Sequence, residues 1–199
     1  MQTGKLAAAV LATCWLLLPP LPALGQAPVS SAGAVDARLL AKANSGDASA
    51  LVSVGDCYAE GKGVARDYKQ AANWYLKAAE KGDVAAEMRL AALYRDGSKN
   101  FPRDMAQAAD WYQKAADQGD ATAQGTLGTL YFMGQGVAQN YVEAYYWLDL
   151  AAAVTGPKQA QYMANRQMVG THITADELEN VKERVAAWKA AHPRVEGAE

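Results

Sequence analysis

Residues 46–79 read GDASALVSVGDCYAEGKGVARDYKQAANWYLKAA, and the stretch returns twice in altered form, at 82–116 and at 119–152. Gly46-Asp47 recurs as Gly82-Asp83 and Gly119-Asp120, at intervals of 36 and 37 residues. Four positions after each glycine stand Ala50, Ala86 and Ala123, and eight after stand Val54, Leu90 and Leu127. Tyr58, Tyr94 and Tyr131 follow at twelve, then Gly61, Gly97 and Gly134 at fifteen. Trp74, Trp111 and Trp147 come next, each ahead of an alanine pair. Self-similarity at such a period marks a repeat architecture, in which one unit cannot bury its apolar face alone and its neighbours supply the missing wall.

Each unit resolves into two helices. In the first, Ala50, Val54 and Tyr58 lie four apart and share one face. Gly61 and its counterparts stand where that helix ends. Asp67 with Gln70, Asp104 with Gln107 and Asn140 with Glu143 have the spacing of a capping box at the start of the second helix. Its apolar face follows as Ala71, Trp74, Tyr75, Ala78 and Ala79. The repeated tryptophan, packed against alanines of a neighbouring helix, is expected in the core, so Trp111→Ala is expected to cost about 3–5 kcal/mol. The middle unit carries one extra residue between its helices, and Phe101 is expected to take the buried place of Val64.

Outward from these units the chain is read as all-α. A leading helix is expected at 35–45, repeats at 46–81, 82–118 and 119–155, and terminal helices over 156–191. Ala160, Ala164 and Met168 hold the repeat offsets after Gly156 and predict the inner face of the first terminal helix. Thr174 and Glu177 predict a capping box that opens the second, with Leu178, Val181, Val185 and Trp188 as its stripe. Residues 26–34 and 192–199 are expected to be disordered tails.

Residues 1–25 have the layout of a cleavable signal peptide: Lys5, an apolar run from Leu6 to Leu18, three prolines, then Ala23-Leu24-Gly25 with cleavage near Gly25-Gln26. An apolar run of 13 residues is too short to span a bilayer comfortably. A periplasmic or secreted location is therefore expected. Cleavage leaves Cys57 without an internal disulfide partner, and its expected role is a buried small hydrophobe. A net charge of -2 gives no field for nucleic acid.

The pattern Gly-Asp…Ala…Leu-Gly…Tyr…Gly-x-Gly-Val…Asp-Tyr…Ala…Trp-Tyr…Ala-Ala…Gly resembles the Sel-one-like repeat, a relative of the tetratricopeptide repeat. The resemblance implies a right-handed α-solenoid of stacked antiparallel helix pairs that acts as a protein-binding adaptor. It also implies that residues 170–191 are the terminal helix that bacterial members place after their last repeat. Val54 stands for the usual Leu in the first unit, the second lacks the Gly-x-Gly-Val loop, and Leu148 replaces the usual Tyr in the third.

No catalytic, cofactor or metal set emerges from the residues. His172 and His192, the two histidines, lack metal-ligand spacing, and the repeated Asp residues are accounted for as helix caps. A non-catalytic scaffold in envelope signalling or assembly is therefore expected, binding a protein or peptide partner through first-helix positions that do not obey the repeat. Those positions are Ser53, Arg89 and Thr126; Asp56, Ala92 and Thr129; and Ala59, Arg95 and Phe132. An enzyme or ligand binder of the cell wall, acting on a β-lactam or a peptidoglycan fragment, is the alternative. A homo-oligomer formed through an exposed solenoid end is a further reading.

Overall fold

The computed structural model describes residues 35–193; the expected signal segment 1–25, the tail 26–34 and residues 194–199 lie outside them. The described residues form nine helices: α1 Ala37–Asn44, α2 Ala48–Glu60, α3 Tyr68–Ala79, α4 Val84–Asp96, α5 Met105–Asp117, α6 Ala121–Met133, α7 Tyr141–Ala152, α8 Gln159–Gly170 and α9 Ala175–Ala191. The architecture is an all-α solenoid in which α2–α3, α4–α5 and α6–α7 are the paired units, each stacked on the next.

Local chemistry sets every boundary in the repeats. The carboxylates of Asp47, Asp83 and Asp120 accept from the amides of Ala50, Ala86 and Ala123, at 2.8, 2.8 and 2.7 Å. That supplies an acceptor to one of the first-turn donors that have none within the helix. Gly61 and Gly134 close α2 and α6 at φ 75° and 66°, a left-handed conformation that costs a side-chain-bearing residue free energy. At the second helices, Asp67, Asp104 and Asn140 accept from the amides two and three residues on. The reciprocal half of the expected capping box is absent there. Among the described helices it is complete only at Thr174 and Glu177, and Glu143 pairs instead with Arg184 of α9.

The core consists of small residues set against large ones. Ala71, Ala78, Ala108, Ala115, Ala144 and Ala151 are wholly buried, as are Val54 and Leu90, and Leu127 is nearly so. Alanine at these positions lets helix axes approach closely enough for dispersion contacts to accumulate. The large buried partner in each second helix is Tyr75, Tyr112 or Leu148. Trp74 and Trp111 are only half-buried, with the Lys77 and Lys114 ammonium groups 4.4 and 3.6 Å from their rings. The expected tryptophan core is thus corrected by one position: the adjacent tyrosine faces its own first helix, and the tryptophan lies on the rim. Trp147, beside Tyr146, is the buried exception. Phe101 is buried in the longer α4–α5 loop, its ring 5.0 Å from that of Tyr94.

The C-terminal end departs most from the expected register. On α8 the buried residues are Tyr162 and Val169, while Ala160, Ala164 and Met168 face solvent. The ring of Tyr162 fits over Gly125 of α6, where a side chain would otherwise stand, and this contact sets the rotation of α8. Helix α9 buries Val181 and Val185 against α7, not against α8. Arg184 anchors it through Glu143 and lies 4.4 Å over the Tyr146 ring. His192, assigned from sequence to a loose tail, instead caps α9: its amide donates to the Trp188 carbonyl at 3.0 Å, and its ring stacks on Trp188 at 4.1 Å.

Candidate interaction groove

The three sets of irregular first-helix positions separate into a clasp, a trough and an aromatic cluster. Asp56 and Arg89 form the clasp across the boundary between the first two repeats. The Arg89 Nη2 donates to Asp56 Oδ2 at 3.1 Å, its Nε donates to Oδ1, and the Tyr75 hydroxyl also donates to Oδ1, at 2.7 Å. Burial and the neighbouring carboxylate push the Tyr75 hydroxyl well above the ordinary phenol range. The Asp56 carboxylate holds the Arg89 guanidinium in its charged form. Both side chains are thus engaged within the solenoid. Ser53 is exposed on the preceding turn, and its hydroxyl donates to the Ser49 carbonyl.

Arg95, Thr126 and Thr129 meet in one open trough of about 490 Å³ between the end of α4 and the outer face of α6. Asp96, Arg103 and Gln135 complete its polar wall. Arg95 is held in place by three bonds: Nε and Nη2 donate to the Asp96 carboxylate at 2.7 and 3.0 Å, and Nη1 donates to the buried Tyr112 hydroxyl at 3.0 Å. The guanidinium keeps two further N–H groups, since it carries five in all. Hydrogen bonding to Arg95 also draws the Asp96 carboxyl below its ordinary range. The hydroxyls of Thr126 and Thr129 donate to the Thr122 and Gly125 carbonyls of their own helix, which leaves their lone pairs as acceptors. Arg103 makes no ion pair among the described residues. The trough therefore offers cationic donors beside hydroxyl acceptors, a set able to engage carboxylates and backbone amides of another chain.

Phe132 lies apart from that trough, with its ring 5.9 Å from Tyr141 and 6.2 Å from His172. His172 stacks on Tyr141 at 4.6 Å. A small apolar cavity of about 80 Å³ opens beside Phe132, lined by Met133, Met168 and Val169 among others. Ala59 and Ala92, the remaining irregular positions, are half-buried. Asp96 is the last residue of α4, and Arg103 and Gln135 stand in loops beyond helix ends, so none of the three falls among the irregular first-helix positions that the repeat exposes.

No group of three or more His, Cys, Asp or Glu among the described residues is placed to hold a metal ion, and no described helix is long and apolar enough to cross a membrane. Cys57 is free and half-buried; burial, then the Asp56 charge, raises its thiol pKa, which disfavours the reactive thiolate.

Comparison with protein families gives three matches to the Sel1 repeat, over residues 48–83, 84–120 and 121–153. Among solved structures, a Sel1 repeat protein from Oxalobacter formigenes is 33% identical, with a TM-score of 0.57 over 64% of this chain and 96% of that one. An SLR-fold protective antigen of uropathogenic Escherichia coli is 29% identical, with a TM-score of 0.43, over 76% of this chain and 40% of its own length. A search of curated proteins gave no match.

Proposed function

Because the chain belongs to the Sel1 repeat family, whose members are helical-repeat scaffolds for protein interaction, we propose that it is an exported, non-catalytic scaffold in envelope signalling or assembly. Its partner is a protein or peptide that lies along the trough between α4 and α6. The observation that carries this reading is the convergence of Arg95, Thr126 and Thr129, from two different repeats, on one open surface. Repeat-to-repeat variation concentrated on one surface gives a solenoid a partner-specific face, while the invariant positions serve stacking. An extended segment with acidic side chains matches the donors of Arg95 and Arg103, with hot-spot energy expected at the arginines.

Site-specific photo-crosslinking tests the reading. A photoreactive residue at Thr126 is expected to capture a discrete envelope partner, and the same group at Asp110, exposed on α5, is not. Arg95→Glu combined with Arg103→Glu is expected to abolish the Thr126 adduct. Equal capture at both positions, or capture indifferent to the arginine changes, would remove the trough from the mechanism. For the export half of the proposal, the support is the three-part layout of residues 1–25. N-terminal sequencing of the chain recovered from the periplasm or medium is expected to begin at Gln26. An unprocessed chain confined to the cytoplasm would refute export.

A further inference from the structure

The large apolar side chains most open to solvent among the described residues are Met133, Met163 and Met168, about half exposed each. All three lie at the C-terminal end of the solenoid, one at the end of α6 and two on α8; Met133 and Met168 border the cavity beside Phe132, and Met163 borders a separate trough beside α9. An apolar concentration of this kind marks a contact surface more often than it marks chance. The sequence patterns α8 for burial, with alanines and methionine at four-residue spacing, yet nothing in the single chain covers them. Helix α9, the next in order, packs on α7 and leaves between α7, α8 and α9 an open trough of about 600 Å³. Ala160, Met163, Ala164 and Gln167 form the centre of its α8 wall, Arg166, which is paired with Asp149, and Gly170 flank them on the same helix, and Tyr145 and Leu178 line the rest. The spacing of the central four, i, i+3, i+4 and i+7, is the seam by which one helix meets another.

We propose that this surface binds a second copy of the chain, with α8 packed antiparallel on α8 about a two-fold axis between Met163 and Ala164. A two-fold interface must be self-complementary, so that one patch carries both knob and hole. Here Met163 of each copy stands over Ala164 of the other, and Ala160 stands opposite Gln167. The alanines allow the two axes to approach closely.

Charge selects the antiparallel sense. The N-terminal end of α8 carries Lys158, which makes no ion pair among the described residues, and that helix start has no side-chain cap. The opposite end of α8 adjoins the first turn of α9, where Asp176, Glu177 and Glu179 are exposed; Glu177 accepts from Thr174 and Glu179 pairs with Lys182, while Asp176 makes no ion pair among the described residues. Over a helix of twelve residues, about 18 Å long, antiparallel docking brings Lys158 and the open α8 amides toward the acidic turn of the other copy. Parallel docking would set like ends together. The other end of the solenoid argues against a head-to-tail filament, because α1 presents exposed Arg38 and Lys42, which such stacking would bury.

Sedimentation equilibrium of the purified chain is expected to give twice the single-chain mass, with the dimer weakening as salt rises. Met163→Glu and, separately, Ala160→Glu are expected to raise the dimer dissociation constant at least about tenfold, with the thermal melting of the helices retained. Lys158→Glu is expected to weaken the dimer and Asp176→Lys, added to it, to restore it. Ala164→Cys, in a Cys14→Ser, Cys57→Ser background, is expected to yield a disulfide-linked dimer on air oxidation. A single-chain mass at about 100 μM, well above the range of a specific interface, would overturn the proposal. So would a dimer insensitive to both glutamate variants, which would place the contact elsewhere on the molecule.

Discussion

The ring of Tyr162 on α8 occupies the space that a side chain on Gly125 of α6 would need, and it is buried there to 7% exposure. This contact seats the last first-type helix on the repeat before it. Tyr162→Ala would leave an aromatic-sized void and is expected to cost about 3–5 kcal/mol. Gly125→Ala acts in the opposite sense by overpacking, at about 1–3 kcal/mol, against which better helix propensity returns up to about 1 kcal/mol. Urea unfolding followed by circular dichroism measures both. A Gly125→Ala chain as stable as the parent would show that α8 can slide outward without cost.

The tyrosine that follows each of the first two repeat tryptophans gives a second, sharper comparison. Tyr112 is 2% exposed and accepts from Arg95, whereas Trp111 is half-buried under the Lys114 ammonium. Tyr112→Ala is expected to cost about 3–5 kcal/mol, and Trp111→Ala roughly 1–2 kcal/mol from partial burial and an exposed cation–π contact. Tyr112→Phe keeps the packing and loses one hydrogen bond, about 0.5–1.5 kcal/mol. Equal losses for the two alanine variants would contradict the packing described for α5.

That comparison also marks how far the sequence could be read. Helix number, the paired units and the capping aspartates follow from spacing alone, because each is a local or periodic property of the chain. The Trp111–Tyr112 choice does not, since neighbouring aromatics both fit a helical stripe and only the position of the facing helix decides between them. The buried face of α8 departs from the repeat offsets for a related reason. Offsets counted from Gly156 assume the geometry of a full repeat, but the anchor is Tyr162 against Gly125, which no period reveals. The trough at Arg95 was half legible: Thr126 and Thr129 stand out as irregular positions, but Arg103 and Gln135 reach it only through loop geometry.

The clasp between repeats makes a prediction that separates packing from charge. Asp56→Ala leaves the buried Tyr75 hydroxyl without its acceptor and is expected to cost about 1–3 kcal/mol. Asp56→Asn keeps an acceptor oxygen for Tyr75 and loses the ion pair with Arg89, which is more than a third exposed, together with the Oδ2 acceptor of the Arg89 Nη2. Its cost is expected to stay below about 1 kcal/mol. Thermal melts of the two variants, with Arg89→Ala as a third, test the assignment. Matching losses for Asn and Ala would mean that the charge, and not the Tyr75 hydrogen bond, holds the boundary.

Glu87 makes the stability of the middle repeat depend on pH. Glu87 is 4% exposed on α4, and its carboxylate accepts from the Gln118 side-chain amide at 2.7 Å. Burial raises its pKa above the ordinary carboxylate value, only partly offset by that hydrogen bond. A carboxylate with a raised folded pKa binds more protons in the folded state than in the unfolded one, so its effect on stability has a definite sign. The penalty is absent below the unfolded pKa, grows as pH rises through the interval, and is complete above the folded pKa. Glu87→Gln has the same shape and can still accept from Gln118, but it carries no charge to desolvate. The variant is therefore expected to be more stable than the parent at pH 7, and the difference is expected to close as pH falls toward 4. Urea midpoints measured across that range decide it: a constant difference, or a parent that gains stability with rising pH relative to the variant, would show that the Glu87 charge is not the source.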